Sequence, residues 1–193
     1  MHVEHLSFSG SFAHVQNDIL ARLARVKLLI LDVDGVMTDG GLYFDAEGRV
    51  IKRFNVLDGL GIGIARKQGL KIAVITGQDV PAVAARMRQL RIEDYFAGFI
   101  DKRDSYEMCR AKHNLSSDEV AYLGDDWVDL PILAVVGMPM AVANAVPEVR
   151  AAATYITTLA GGHGAVREAI HLILHSKGVL ETALDEWLEQ PAL

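Results

Sequence analysis

Four short apolar runs, each ending on a polar or charged residue, constrain this chain more than any other feature. They are "LLILDVD" from Leu28, "KIAVITG" from Lys71, "YFAGFIDK" from Tyr95 and "EVAYLGDD" from Glu119. Helical patterns separate the last three. "VPAVAARMRQL" carries a proline in its first turn, and "SYEMCRAKH" stops before Asn114, a residue type common at helix ends. Short apolar strands alternating with helices predict a parallel sheet covered on both faces, a doubly wound, Rossmann-like α/β fold.

Other segments fall outside that rhythm. "LYFDAEGRVIKRF" reads as two strands around Asp45-Ala46-Glu47-Gly48, a β-hairpin inserted between the first strand and a helix expected near Asp58-Gly59. Val15, Ile19, Leu20 and Leu23 recur at helical spacing and predict a leading amphipathic helix over Phe12–Arg25. "GGHG" precedes a helix with Val166, Ile170, Ile173 and Leu174 on one side, and a last helix carries Leu180, Leu184, Trp187 and Leu188. The expected organisation is a tail and helix over 1–25, one α/β domain over 26–180 with the hairpin at 41–54, and a C-terminal helix or tail over 181–193. Between Thr38 and Leu60 there is room only for the hairpin, so no separate domain is expected there.

The totals set bounds. The chain has 193 residues, half of them hydrophobic, with 19 Lys plus Arg against 25 Asp plus Glu and a net charge of −6. That balance argues against a nucleic-acid-binding protein. It leaves room for a small phosphorylated substrate, because a bound divalent metal reverses the field locally. The single cysteine, Cys109, excludes an internal disulfide framework and fits a reducing compartment. The start "MHVEHLSFSGSF" is too mixed for a signal peptide, and the apolar stretch "ILAVVGMPMAVANAV" is too short to span a bilayer. A soluble cytoplasmic protein with no membrane partner is expected.

In open parallel sheets, ligands bind outside the carboxyl ends of the strands. Those ends here carry Asp32 with Asp34, Thr76, Lys102, and Asp125 with Asp126. Asp32 interrupts an apolar run, where a buried charge is costly without a partner. Two close carboxylates plus another pair make a hard-oxygen pocket suited to Mg2+, which is held by one or two carboxylates together with phosphate and water. In this reading Asp32 attacks phosphorus as a nucleophile. Asp34 protonates the leaving alkoxide and later takes a proton from water. The Thr76 hydroxyl and backbone N–H groups near it, Gly77 among them, hold phosphoryl oxygens, and Lys102 balances their charge. Each residue also has a plainer reading: Asp39 or Asp129 as a turn former or cap, Thr76-Gly77 as a strand-to-helix turn, Lys102 as a solvated lysine. The joint pattern is more specific than any member.

Asp-x-Asp-Gly-Val-x-Thr-Asp-Gly, then Ile-Thr-Gly, then a Lys, then Gly-Asp-Asp-x-x-Asp resembles the haloacid dehalogenase superfamily of phosphatases. The closer resemblance is to its capless branch acting on 3-deoxy-octulosonate 8-phosphate (KDO 8-phosphate), a step in lipopolysaccharide sugar synthesis. It runs from about Val26 to Leu180 and includes the hairpin, "FNVLDGLGI" and "GGHGAVREA". The resemblance implies a phosphorylated sugar acid as substrate and Mg2+ as cofactor. It implies Asp32 as nucleophile and metal ligand, Asp34 as acid/base with its backbone carbonyl on the metal, Thr76 and Lys102 as phosphate binders, and Asp125 as a metal ligand. Asp126 and Asp129 would support the metal shell through hydrogen bonds. Arg86 matches a family arginine that could meet a substrate carboxylate, and reads equally as a surface helix residue.

This chain departs from that branch where the substrate lies. Gln78 follows Ile-Thr-Gly where the octulosonate group shows Arg, His163 replaces Arg in the Gly-rich loop, and Leu57 replaces Arg before Asp58-Gly59. A related group acting on nonulosonate 9-phosphates carries Glu at the first two places and supplies the alternative substrate. With no cap, a bare crevice would expose an acyl phosphate to water, so a neighbouring subunit is expected to supply the lid. The resemblance implies a homotetramer with its hairpins packed centrally and the Gly-rich tail reaching toward an active site. A Gly-rich loop opening a helix also makes an anion site, which brings in His163. Rival readings are a signalling receiver, a non-catalytic oligomerisation module, a sugar-phosphate mutase and a dehalogenase. The order of the acidic pairs and the acid/base candidate Asp34 argue against the receiver, and the missing cap argues against the mutase.

Overall fold

The structure, a computed structural model, describes residues 12–189. The expected N-terminal tail before residue 12 and the last residues from 190 onward lie outside the described residues. In chain order the elements are α1 (Asn17–Arg25), β1 (Leu28–Leu31), β2 (Tyr43–Phe44), β3 (Val50–Ile51), α2 (Val56–Lys67), β4 (Lys71–Thr76), α3 (Pro81–Leu90) and β5 (Asp94–Ala97). Then follow α4 (Arg103–Lys112), β6 (Val120–Gly124), α5 (Leu130–Leu133), β7 (Met138–Ala141), α6 (Pro147–Ala152), β8 (Tyr155–Ile156), α7 (Ala165–Ser176) and α8 (Leu180–Glu189). Short 3-10 turns at Ser117–Glu119 and Trp127–Asp129 precede β6 and α5.

Six strands form one parallel sheet in the order β5-β4-β1-β6-β7-β8. Strand β1 lies inside it with all four residues buried, as a strand covered on both faces requires. Leu31 is level with Val74 of β4 and Leu123 of β6, so Asp32 leaves the sheet between the ends of those two strands. Helices α1, α2, α7 and α8 pack on one another, and α4, α5 and α6 form a second packed group. The doubly wound sheet with a hairpin after its first strand and no cap domain is therefore present. Among the described residues no helix is long and apolar enough to cross a membrane.

Several boundaries differ from expectation for local reasons. The leading helix starts at Asn17; Phe12–Val15 form a turn closed by Val15 N donating to Phe12 O at 2.9 Å. Helix α2 starts at Val56, ahead of Asp58, because the Asn55 side chain accepts from Leu57 N at 2.8 Å and caps it. Strand β5 ends at Ala97 because Gly98 adopts φ +86°, so Lys102 sits at the N-terminus of α4 rather than on a strand. Strands β7 and β8 extend the sheet beyond the four expected runs. Pro139 fits inside β7 through its carbonyl, which accepts from Thr154 N at 2.8 Å.

Candidate active site

The groups at the carboxyl ends of β1 and β6 and at the start of α4 come together as one hydrogen-bonded network. Asp129 is its hub. Its Oδ1 accepts from Lys102 Nζ and from the Tyr122 hydroxyl, both at 2.6 Å. Its Oδ2 accepts the backbone N–H of Asp125 at 2.8 Å and of Asp126 at 3.2 Å. The second bond folds the chain back on itself, and Gly124 makes room: a Cβ there would lie 2.5 Å from Asp129 Oδ2. Asp126 caps the 3-10 turn by accepting from Trp127 N at 2.7 Å, while its side chain stays at the exposed rim.

Lys102 is 1% exposed, which removes the solvated-lysine reading. Its ammonium donates to Asp32 Oδ1 at 2.6 Å, to Asp129 and to the Tyr122 hydroxyl at 3.1 Å. All three protons are thus used, and Lys102 supplies positive charge from beneath Asp32 rather than from an open surface. Burial lowers its basicity, but the two carboxylates outweigh that and raise it, so it stays an ammonium.

One lysine faces three carboxylates, Asp32, Asp125 and Asp129, whose offered oxygens all lie within 4.8 Å of one another. Burial pushes Asp125 up to about 8, with repulsion from Asp32, Asp129 and Asp126 adding to it. Burial likewise raises Asp32, against the pull of Lys102. Such a site favours a hard divalent cation, which would relieve both costs. With both Asp129 oxygens committed and Asp32 Oδ1 on Lys102, the acceptors left for a cation are Asp32 Oδ2 and the Asp125 carboxylate. The donor set therefore fits Mg2+. Asp125 reaches this position over Gly35, which has φ +86° and whose absent Cβ would lie 2.0 Å from Asp125 Oδ2.

Asp34 lies on the outer side of the same turn, half-buried. Lys52, from the end of the hairpin, donates to its Oδ1 and also to Gln78 Oε1 at 3.1 Å. Sequence reasoning missed Lys52. The signal was present: in "GRVIKRF" the two-residue period puts Val50, Lys52 and Phe54 on one face, away from exposed Ile51 and Arg53. Thr76 is buried at the end of β4, next to the Asp32 turn, and its hydroxyl accepts from Gln78 N at 3.4 Å. Gly77, beside it, is half-buried.

Arg86 and His163 stand apart from the acidic network. Arg86 donates to Asn55 O at 3.2 Å and to Gln89 Oε1 at 2.8 Å, and lies 5.7 Å from the centre of the Phe54 ring. His163 is exposed, and its Nδ1 lies 2.8 Å from Gly161 O. The Gly-rich loop that carries it packs on the turn that follows Asp32 and Asp34. Gly162 N donates to Val36 O at 3.0 Å and Gly161 N to Asn144 Oδ1 at 2.7 Å, while Asn144 Nδ2 reaches Gly35 O at 3.4 Å. Leu57, the third departure, is exposed in the first turn of α2.

A capless doubly wound sheet with this acidic network at its centre defines a hydrolase of the haloacid dehalogenase type. The family model described as haloacid dehalogenase-like hydrolase matches residues 94–170. Similarity to individual proteins extends further. The 3-deoxy-D-manno-octulosonate 8-phosphate phosphatase of Escherichia coli K12 is 38% identical over 177 residues, covering 92% of this chain and 94% of the relative. The solved phosphatase of that name from Yersinia pestis superposes with a TM-score of 0.84 at 41% identity, covering 86% of this chain and 89% of the other. The Moraxella catarrhalis enzyme, solved in complex with a magnesium ion, a phosphate ion and KDO, gives a TM-score of 0.86 at 34% identity, covering 89% and 99%. The chain belongs to the 3-deoxy-D-manno-octulosonate 8-phosphate phosphatase family of haloacid dehalogenase-like hydrolases.

Proposed function

We propose that this chain hydrolyses the phosphate monoester of a sugar acid, KDO 8-phosphate, to KDO and inorganic phosphate in the cytoplasm. The observation that carries the reading is Asp32 fixed by Lys102 beside Asp125, within a chain that matches relatives of that activity over nearly its whole length. Lys102 fixes the Asp32 carboxylate through Oδ1, and that carboxylate attacks phosphorus. As the Asp32–phosphorus bond forms, the ester P–O bond breaks and its electron pair goes to the sugar oxygen, which Asp34 protonates. Asp34 then takes a proton from water, the water oxygen attacks phosphorus, and the Asp32 carboxylate leaves. Thr76 and the Gly77 N–H hold the phosphoryl oxygens, and Lys102 offsets their charge through Asp32. Mg2+ would be held by Asp32, Asp125 and the Asp34 backbone carbonyl, where it supplies charge neutralisation for the phosphoryl group. Asp126 and Asp129 orient that shell.

Gln78, Arg86 and His163 form the substrate side of this reading, with nonulosonate 9-phosphates as the alternative esters. A panel of KDO 8-phosphate, nonulosonate 9-phosphates and hexose phosphates, assayed with Mg2+, tests it. Preference for KDO 8-phosphate supports the assignment. Preference for neutral hexose phosphates overturns the substrate and spares the chemistry.

The same proposal includes a homotetramer with a lid from a neighbouring subunit. The hairpin supports it, with Leu42, Phe44 and Ile51 exposed on a two-stranded sheet too small to bury them. A hairpin-deleted variant that stayed oligomeric and fully active would refute this part.

A further inference from the structure

Lys52 is a hairpin side chain with no role in the mechanism above, yet it is buried, with 1% of its side chain exposed. Its neighbours Ile51 and Arg53 point to solvent. An ammonium withdrawn from water is costly unless its partners are fixed. Its partners here are Asp34 Oδ1 and Gln78 Oε1. Asp34 has no other side-chain partner among the described residues, and its Oδ2 takes part in no hydrogen bond with them. Lys27, Lys67, Lys71 and Lys177, by contrast, are not buried.

We infer that Lys52 is the positioning residue for the proton donor: by holding Oδ1 of Asp34 it presents Oδ2 to the departing ester oxygen. The inference deepens the phosphatase reading and rests on it. Lys52 takes no part in bond making. It fixes which Asp34 oxygen carries the proton while the ester P–O bond breaks. The Gln78 bond adds a second anchor, so the hairpin, the Asp34 turn and the end of β4 meet at one ammonium. Proton donation matters most when the leaving oxygen is basic and least when it departs readily as an anion.

The test uses the full chain with Mg2+ and two aryl phosphates of similar size, p-nitrophenyl phosphate and phenyl phosphate. The nitrophenolate leaves without a proton, whereas phenolate is more basic and depends on one. In Lys52→Met, kcat/KM is expected to fall about threefold on the nitrophenyl ester and about thirtyfold or more on the phenyl ester. Equal losses on the two esters, or no loss on either, overturn the inference, because a merely structural role lowers both alike. Should Lys52→Met fail to fold, Lys52→Arg decides by the same ratio, with a smaller but still unequal loss expected. Failure of the underlying reading looks different: the unaltered chain would hydrolyse neither ester, or Asp32→Asn would keep its rate.

Discussion

The Asp125 carboxylate rests on the bare Cα of Gly35: a Cβ at that position would lie 2.0 Å from Asp125 Oδ2. Two chain segments 90 residues apart are thereby packed so that a carboxylate from β6 stands beside the one from β1. Gly35 also has φ +86°, a conformation that costs a residue with a Cβ about 1–2 kcal/mol. Gly35→Ala is expected to lower phosphatase activity at least about a hundredfold, since it displaces the carboxylate proposed as a metal ligand. Asp125→Asn should leave the fold intact but abolish any magnesium-dependent rise in melting temperature, the signature of a ligand bound by the native state alone. Steady-state assays read the first effect, and differential scanning calorimetry with and without Mg2+ reads the second. A magnesium-induced rise persisting in Asp125→Asn would remove Asp125 from the metal site.

Lys102 is expected to matter for folding as well as for chemistry. Its ammonium holds Asp32, Asp129 and Tyr122 together in the buried interior. Lys102→Met leaves two buried carboxylates unbalanced, a change of the kind that costs about 3–5 kcal/mol. Tyr122→Phe removes one bond at each end of the hydroxyl and should cost about 1–3 kcal/mol. Urea unfolding of the two variants should reproduce that ranking, with Lys102→Met losing catalysis as well.

His171 makes stability depend on acidity at a place remote from the reaction. Burial and the neighbouring Arg167 push its pKa down to about 4, and its Nε2 accepts from Arg167 Nε at 2.5 Å. An unfolded chain binds this proton near pH 6.5, the ordinary histidine value, so the folded state binds fewer protons below that point. The contribution of His171 is therefore complete above about pH 6.5 and is lost as pH falls toward about 4. Allowing for its partial exposure, the loss should be about 1–2 kcal/mol. His171→Gln keeps an acceptor for Arg167 and should flatten the fall of melting temperature between pH 6.5 and 4. An unchanged acid limb would count against this account.

The central part of the sheet was legible because β1, β4 and β6 are apolar runs bounded by polar residues, and a strand buried on both faces writes itself that way. Strands β7 and β8 escaped notice for the same reason in reverse. Met138–Ala141 is embedded in a longer apolar stretch with a proline inside it, and Tyr155–Ile156 is only two residues long, so neither has an edge that composition marks. Asp32, Thr76 and Asp125 stand at strand ends, as expected, because apolar runs mark where such strands stop. Lys52 carries no such mark, since its proximity to Asp34 depends on how the hairpin folds over the sheet. Lys102 was found in sequence order, but its burial came from Gly98 ending β5 early and from Asp129 and Tyr122 awaiting it, contacts that single-residue reasoning does not reveal.

The Gly-rich loop offers the last test, because its glycines do a job that charge cannot replace. A Cβ on Gly161 would lie 1.7 Å from Gly35 O, and one on Gly162 would lie 2.4 Å from Asp39 N. The loop backbone thus presses on the turn that carries Asp34. Asn144 clamps the pair from the side, taking Gly161 N and reaching Gly35 O. Glu168 fixes the approach to the loop by accepting from Thr158 N, Leu159 N and the Tyr155 hydroxyl. Gly161→Ala must therefore shift the Asp34 turn or the loop, and activity is expected to drop about a hundredfold or more. Asn144→Ala loses the clamp without adding bulk, so a fall in kcat of about tenfold with a stability loss of about 1 kcal/mol is expected. Glu168→Ala acts farther from the turn and should reduce stability more than it reduces kcat. Steady-state kinetics beside thermal melts for the three variants separates these effects. Activity losses in the reverse order would mean that the loop serves something other than support of the Asp34 turn.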